Sequence, residues 1–382
     1  MSPVDRSWTL RVLRDLVAID SVNPAFGGPG EAEMARRVAG CLQALDLEVT
    51  LLQNRPGRPS VLGTLKGRGG GRSLLLYAHL DTVGVEGMED PFGAAVREGR
   101  LYGRGAYDMK SGLAACLAAA RSLVEASSDL SGDLHLGFVA DEEHESFGMH
   151  ELLSALGPDG AVVTEPTDLR LCVAHKGFAW ITVETRGRAA HGSRFDEGVD
   201  ANLRMGRFLG RLEGLERELR SRADHPLLGP PSLHAARLEG GTGPSTYAAR
   251  CRLEIERRTL PGETPEAVLA EIQGLVDSIR AEDPEFDATV EPMLWRGAFE
   301  ADPRSELAGT LRREMAARPG GPSGEVGESY WMDAALLAAA GIDTVILGPT
   351  GAGAHAAEEW VELDSVHRLA DILARTAQEY CR

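Results

Sequence analysis

The 382-residue sequence is poor in cysteine. Its five cysteines lie far apart, at positions 41, 116, 172, 251 and 381, and no two of them form a C-x-x-C motif. An odd and scattered set excludes a disulfide framework and a structural zinc site built from thiolates. Such a set is typical of buried free thiols in the reducing cytoplasm, which is the localisation that we predict.

The sequence also lacks long apolar runs and an excess of basic residues. No run approaches the roughly 18 apolar residues that a membrane-spanning helix needs. Residues 1–20 include six charged side chains, so we expect no signal peptide. The 40 basic and 58 acidic residues give a formal charge of −18. That charge disfavours partners such as nucleic acid and anionic membrane surfaces.

The first and last parts of the sequence alternate short apolar runs with helical periodicity. The apolar runs predict strands buried on both faces, at 73–78, 134–140, 160–164 and 344–347. Apolar positions at helical spacing predict helices at 8–19, 31–45, 112–126, 306–317, 332–340 and 366–380. This alternation predicts an α/β domain with a mostly parallel sheet.

Residues 177–290 have a different pattern, which predicts an inserted α+β domain. Strand-like alternation and helical periodicity follow one another there, at 179–185, 201–222, 251–256 and 265–279. This segment has 15 Arg and 19 acidic residues, a net charge of −4, so most of the negative charge lies outside it. We therefore predict one α/β domain, residues 1–176 and 291–382, interrupted by a domain of residues 177–290.

Histidines and carboxylates cluster just after the predicted strands and before one predicted helix. Reactive groups collect at the C-terminal ends of strands in an open parallel sheet, so these side chains should converge. They are His79, Asp81, Asp108, Glu142, Glu143, Glu165 and His355.

Each member of this cluster has an ordinary structural explanation when it is taken alone. Asp108 could cap the helix that follows it, and Glu142 and Glu143 could lie in a solvated loop. Taken together, however, several carboxylates at one sheet edge would repel one another. Two divalent cations would balance four of the carboxylates, those of Asp108, Glu142, Glu143 and Glu165. Imidazole and carboxylate ligands without cysteine suit Zn²⁺, Co²⁺ or Mn²⁺ in a hydrolytic site.

Seven short motifs in a fixed order extend this pattern over nearly the whole chain. They are AHLDTV at 78–83, GRGAYDMK at 103–110, DEE at 141–143, TEPT at 164–167, AHGS at 190–193, ERRTLPG at 256–262 and GAGAH at 351–355. In these motifs the chain resembles the dinuclear-zinc amidohydrolases and metallopeptidases. That family includes acetylornithine deacetylase, succinyl-diaminopimelate desuccinylase, aminoacylase-1 and bacterial glutamate carboxypeptidase.

The resemblance implies a ligand set for two divalent metal ions. Asp108 corresponds to the carboxylate that bridges both ions. His79 and Glu165 would complete one ion, and Glu143 and His355 the other. The resemblance favours zinc as the metal, with cobalt or manganese as alternatives.

The resemblance also implies catalytic and substrate-binding residues. Glu142 corresponds to the general base, which takes a proton from a water held between the metals and later gives it to the leaving amine. The Asp81 carboxylate would orient the histidine two residues before it. His191 would stabilise the oxyanion in the partner subunit's site. Arg258 would bind a substrate carboxylate, and Ser245 stands where many relatives have an asparagine that contacts substrate.

These implications predict a homodimeric enzyme whose catalytic domain has a zinc-peptidase-like fold. The insert would be its ferredoxin-like dimerisation or lid domain. The predicted reaction is hydrolysis of the amide bond of an N-acyl amino acid, as in acetylornithine deacetylase. A dipeptidase or carboxypeptidase acting on short peptides remains an alternative, and so does a non-catalytic metal-binding scaffold. Residues 328–335 lack the arginine of the succinyl-diaminopimelate enzymes, and Trp331 indicates a smaller or more apolar acyl pocket.

Overall fold

The computed structural model describes residues 4–222, 225–317 and 324–382. Its α-helices are α1 (Arg6–Val17), α2 (Ala32–Gln43), α3 (Lys110–Glu125), α4 (Phe147–Ala155), α5 (Ala201–Ser221), α6 (Pro265–Glu282), α7 (Glu306–Ala316), α8 (Ala334–Ala339) and α9 (Leu363–Tyr380). Its strands are β1 (Glu48–Leu52), β2 (Ser60–Leu65), β3 (Leu74–His79), β4 (Ala95–Arg97), β5 (Arg100–Tyr102), β6 (Leu134–Val139), β7 (Gly160–Val163), β8 (Leu171–His175), β9 (Gly177–Arg186), β10 (Ser232–Gly240), β11 (Arg250–Thr259), β12 (Ala288–Arg296), β13 (Phe299–Glu300), β14 (Glu325–Glu328), β15 (Asp343–Ile346), β16 (Gly351–Ala352) and β17 (Trp360–Glu362).

The chain forms two compact units. The first consists of Met1–Val173, Ala301–Val326 and Met332–Arg382, and the second of Ala174–Glu300 and Gly327–Trp331. The sequence predicted an insert of residues 177–290. The second unit is longer because β12 continues to Arg296 and because β13 pairs with the end of β8.

A twisted sheet forms the centre of the first unit, with the strand order β1-β2-β6-β3-β7-β15-β8. The pairs β6·β3, β3·β7 and β7·β15 are parallel, and antiparallel pairs flank them on both sides. Every residue of β3, β6 and β7 is buried, which is the pattern of parallel strands covered on both faces. The predicted α/β class with a mostly parallel sheet is therefore confirmed.

Helix α3 is the central helix of this unit and packs against α1, α9 and β3. Almost its entire length is buried, and alanine and leucine occupy half of its positions. Gly112 lets its first turn approach the sheet closely. A Cβ at this position would lie 2.4 Å from the carbonyl oxygen of Thr164. This contact brings the start of α3, and the loop before it, against the end of β7.

The second unit contains a four-stranded antiparallel sheet in the order β10-β11-β9-β12. Helices α5 and α6 pack on the sheet, and its core includes Ile181, Val183, Leu253 and Ile255. The order of elements along the chain, β-α-β-β-α-β, together with this strand order is the ferredoxin-like arrangement. No helix in the described residues is both long enough and apolar enough to cross a membrane.

Candidate dinuclear metal centre

The sheet of the first unit brings the predicted ligands to one edge. His79 is the last residue of β3, and Glu165 lies two residues beyond the end of β7. Glu143 follows the neighbouring strand β6, and Asp108 lies just before α3. His355 comes from the loop after β16. The clusters meet because β6, β3 and β7 are adjacent and parallel, so that their C-terminal ends point the same way.

One group of possible metal ligands consists of His79, Asp108 and Glu165. Nε2 of His79 lies 3.2 Å from Oδ1 of Asp108 and 3.5 Å from Oε1 of Glu165. One donor atom from each of the three residues lies within 4.8 Å of the other two. The side chain of His79 is fully buried, so solvent does not contact the histidine of this group.

The second group consists of Asp108, Glu143 and His355. Nε2 of His355 lies 3.3 Å from Oδ2 of Asp108 and 3.2 Å from Oε2 of Glu143. Asp108 therefore presents one carboxylate oxygen to each histidine. The histidine side chain is 55% exposed, so this group is the more open of the two.

Negative charge dominates the electrostatics of the centre. Burial raises the pKa of the carboxyls of Glu142, Glu143 and Glu165, and neighbouring carboxylates raise it further. Burial opposes protonation of His79, but Glu165 and Asp108 outweigh it and hold the pKa of that histidine well above its usual value. Hydrogen bonds with Asp108 and Glu143 raise the pKa of His355 to about 10. Without a cation, the site therefore retains protons that a cation would replace.

The residues present fit two divalent cations. Oε1 of Glu143 is buried and has no hydrogen-bond partner among the described residues, and an unpaired buried carboxylate oxygen is costly. The donors are imidazole and carboxylate, the set that suits hydrolytic zinc, cobalt or manganese. A shared carboxylate between two groups of three donors is the arrangement expected for a bridged pair of ions.

Asp81 supports this centre in a different way from the one predicted. The predicted contact joined His79 to the Asp81 carboxylate, but that carboxylate lies 3.6 Å from Nδ1 of His79. The backbone carbonyl of Asp81 instead accepts the Nδ1 hydrogen bond, at 3.0 Å. The carboxylate is engaged elsewhere, because its two oxygens accept from the backbone N–H groups of Glu142 and Glu143 at 3.1 and 3.2 Å. Asp81 therefore fixes the positions of the predicted base and of a ligand.

Asn23 holds the Asp81 carboxylate in place. Its Nδ2 donates to Oδ2 of Asp81 at 2.8 Å and to Oδ1 of Asp141 at 2.9 Å. Arg58 also donates to Asp141, at 3.0 Å, and it pairs with the buried carboxylate of Glu31. Sequence reasoning missed these residues. No signal in the sequence identifies Asn23 and Arg58 as site residues, because neither is a usual metal ligand and each lies far along the chain from its partners.

The predicted substrate residues lie in the second unit. His191 and Ser245 are exposed and close together, because Gly192 N–H donates to the carbonyl oxygen of Ser245 at 2.8 Å. The Nδ1 atom of His191 lies 2.9 Å from Oγ of Ser193. Arg258 lies on β11, where its Nε donates to Glu256 at 2.8 Å.

Trp331 belongs to an aromatic group in the same unit. Its ring lies edge-on to Phe178, with centroids 6.3 Å apart, and its Nε1 donates to the carbonyl oxygen of Gly297 at 3.1 Å. The guanidinium of Arg258 lies 5.2 Å from the centroid of Phe178. The smaller or more apolar acyl pocket that the sequence indicates at Trp331 stays a prediction.

Comparison with known families gives a match over most of the chain. The model of peptidase family M20/M25/M40 matches residues 75–379. This range includes every predicted metal ligand and Glu142.

Two curated relatives and one solved structure illustrate the match. The acetylornithine deacetylase of Myxococcus xanthus is 30% identical over 322 residues, which are 82% of each chain. The N-formyl-4-amino-5-aminomethyl-2-methylpyrimidine deformylase of Bacillus subtilis (strain 168) is 30% identical over 378 residues, 90% of this chain and 88% of the relative. The aminopeptidase PepT of Bacillus cereus ATCC 10987 superimposes with a TM-score of 0.82 at 19% identity, covering 99% of this chain and 100% of that structure.

Proposed function

The chain belongs to peptidase family M20/M25/M40, and from that premise we propose that it removes the acyl group from a small N-acyl amino acid. Members of this family are enzymes that hydrolyse amide bonds. The observation that carries the proposal is the pair of ligand groups that share Asp108, with Glu142 beside them on the same loop as Glu143. A non-catalytic metal scaffold would need the ligands but not a base at this position.

We infer two cation sites from these ligand groups. His79 and Glu165 would hold one ion, Glu143 and His355 would hold the other, and Asp108 would contribute to both. When bound, the divalent cations, which we propose to be zinc, supply charge that activates a water and polarises the substrate carbonyl. The chain's contribution is to fix these donors, and His79 is fixed by the hydrogen bond to the Asp81 carbonyl.

Glu142 moves the proton in the proposed reaction. Its carboxylate accepts a proton from the attacking water and then donates it to the nitrogen of the leaving amine, so that the amide C–N bond breaks and no net proton is consumed. In the metal-free site, burial first and the nearby Glu165 second raise the pKa of Glu142 well above its usual value. Bound cations would offset the charge of Glu165, but the burial of Glu142 would remain. Burial favours a carboxyl that can hold the proton and return it, as a general acid–base does.

The two curated relatives support removal of an acyl group rather than peptide cleavage, since their names describe a deacetylase and a deformylase. In the proposed complex Arg258 binds the substrate carboxylate, Ser245 contributes a weaker polar contact, and His191 stabilises the oxyanion in the site of the partner subunit. We therefore propose a homodimer. The five cysteines are buried and free, which supports the cytoplasm as its compartment.

A substrate panel tests this proposal. The zinc-loaded enzyme is assayed with N-acetyl and N-formyl amino acids, including N-acetylornithine, and with dipeptides of the same amino acids. We expect the N-acyl compounds to give the higher kcat/KM. Higher kcat/KM for the dipeptides would replace the deacylase with the peptidase alternative. No turnover of any amide, in a protein that binds two metal ions per chain, would favour the scaffold.

The role of Glu142 is tested by Glu142→Gln, with Glu145→Gln as the matched control. Glu145 lies three residues away on the same loop and is exposed. We expect Glu142→Gln to bind two metal ions but to lose about 10²- to 10⁴-fold in kcat, the usual contribution of a general acid–base. Equal kcat in the two variants would refute the assignment.

A further inference from the structure

Glu359 is a buried carboxylate beside the metal centre that neither the ligand set nor the proposed proton transfer uses. It is 1% exposed, and it accepts four hydrogen bonds from one short loop. Its Oε2 accepts from Nη1 of Arg104 at 2.8 Å and from Gly105 N–H at 3.0 Å. Its Oε1 accepts from the N–H groups of Tyr107 at 2.8 Å and Asp108 at 3.0 Å. One of the four donors is therefore the backbone of the bridging ligand itself.

Arg104 extends this contact to the loop that carries His355. The arginine is 2% exposed. Besides Glu359, its Nη2 donates to the carbonyl oxygen of Ala356 at 3.0 Å, and its Nε to that of Gly84 at 2.8 Å. The guanidinium thus joins the Asp108 loop to the residue that follows His355.

The backbone adds a further link between the two loops. Strands β5 and β17 pair, with Tyr102 opposite Trp360, and Gly103 N–H donates to the carbonyl oxygen of Glu359 at 3.1 Å. Both the backbone and the side chain of Glu359 are therefore bound to the segment that ends at Asp108. The bridging carboxylate needs such support, because its two oxygens must face two histidines from opposite ends of the chain.

We propose that Glu359 is a positioning residue for both metal ions. By binding the backbone of the 104–108 loop and, through Arg104, the His355 loop, it sets the orientation in which Asp108 presents one oxygen to each ligand group. A carboxylate is required because all four groups that face it are donors. A glutamine would turn an NH₂ donor toward two of them. This inference rests on the proposed function, since it concerns the same ligand groups.

The test compares Glu359→Gln with Glu358→Gln in the full-length protein. Glu358 is the adjacent residue and is exposed, so its substitution makes the same charge change outside the network. Zinc is removed with a chelator, and the two stepwise dissociation constants for zinc are measured by competition with a chromogenic chelator. Cobalt-loaded protein gives a visible absorption spectrum that reports ligand geometry. Thermal unfolding of the metal-free variants shows whether each one is folded.

For Glu359→Gln we expect both zinc ions to bind about 10- to 100-fold more weakly, the usual effect of removing a partner that orients metal ligands. Both constants should change, because Asp108 serves both ions, and the cobalt spectrum should change with them. Glu358→Gln should match the wild type. Wild-type constants and spectrum in Glu359→Gln, or a loss confined to one ion, would overturn the proposal.

A second variant decides the case if Glu359→Gln does not fold. Arg104→Lys keeps the positive charge but has one donor nitrogen in place of the three that bind Gly84, Glu359 and Ala356. We expect weaker binding of both zinc ions in this variant as well, and wild-type binding would overturn the proposal. The proposed function fails separately, and visibly, if the wild type itself binds fewer than two zinc ions or hydrolyses no amide.

Discussion

Replacement of Asn23 should lower the stability of the protein and loosen the backbone of Glu142 and Glu143 beside the candidate metal centre. The amide nitrogen of Asn23 donates to the carboxylates of Asp81 and Asp141, at 2.8 and 2.9 Å, in a region where all three residues are buried. Hydrogen bonds to charged groups contribute about 1.5–3 kcal/mol each. Asn23→Ala removes two of them, so we expect the free energy of unfolding to fall by about 3–6 kcal/mol.

An isosteric variant sharpens this prediction. Asn23→Asp replaces the NH₂ donor by an oxygen between two carboxylates, so it should destabilise more than Asn23→Ala at neutral pH. The pKa of the new carboxyl should be raised in the folded protein by its two neighbours. The folded state then binds more protons than the unfolded state, so the stability of this variant relative to wild type should rise as the pH falls.

Urea unfolding at pH 7.5 and pH 5 measures both effects, with Asn54→Ala as the control because Asn54 is exposed. Amide hydrogen exchange gives a local readout. The N–H groups of Glu142 and Glu143 donate to Asp81 and should exchange faster in both Asn23 variants. A loss below about 1 kcal/mol in Asn23→Ala, or a gap between Asn23→Asp and wild type that widens at low pH, would refute the reasoning.

Three further predictions concern the ligands and the subunits. Gly348→Ala places a Cβ 1.9 Å from the carbonyl oxygen of Glu165, so it should displace that ligand, lower stability by about 1–3 kcal/mol and weaken metal binding in a chelator competition. Metal uptake at pH 7 should release protons, measured by calorimetry in buffers of different ionisation enthalpy, because the pKa of His355 is raised to about 10 and that of the other histidine ligand is also raised. Mixing His191→Ala subunits with Glu142→Ala subunits should restore part of the activity, since one composite site is intact.

Each of these predictions has a result that contradicts it. Gly157→Ala is the control for the glycine variant, because a Cβ there meets nothing within 4 Å, and equal effects of the two substitutions would exclude the contact as the cause. Metal uptake without proton release would show that the histidines are already neutral at pH 7. No recovery in the mixed subunits would mean that His191 does not act in the partner's site.

The proximity of the candidate metal ligands was predictable because two independent patterns in the sequence locate them. Buried apolar strands mark where the sheet ends, and the types of residue that follow, such as His79 and Glu165, are those that bind metals. Parallel strands have their C-terminal ends at the same edge of a sheet. Residues that follow such strands are therefore expected to lie close together. The rule applies less directly to His355, because strand β16 separates this residue from the end of β15.

The residues that hold the ligands were not predictable in the same way. Glu359 and Arg104 sit in loops, and their partners are mostly backbone N–H and carbonyl groups, which have no signature in the sequence. Asp81 shows the limit most clearly, because its residue type suggested a carboxylate contact with His79, whereas its carbonyl makes that contact. The choice between carbonyl and carboxylate depends on where Asn23 lies, and that is a property of the tertiary structure.

The boundaries of the second unit illustrate another limit. Its first boundary lies within a continuous strand, β8, whose residues up to Val173 belong to the first unit. Its last part is the short segment Gly327–Trp331, where the chain belongs to the second unit again. A change in the hydrophobic pattern identifies the middle of a domain. It does not identify a boundary within a single strand, or a segment of five residues that belongs to the other unit.

The position of β15 between β7 and β8 has a consequence for synthesis on the ribosome. Strand β7 pairs with β3 on one side and with β15 on the other. Strand β15 is translated about 180 residues after β7, which at 5–20 residues per second is a delay of roughly 10–40 s. During that interval the N–H and carbonyl groups on one side of β7 have no partner strand, and such an edge invites pairing with other chains. Nascent chains of this protein should therefore depend on chaperones most strongly after residue 163 has emerged and until residue 346 follows it.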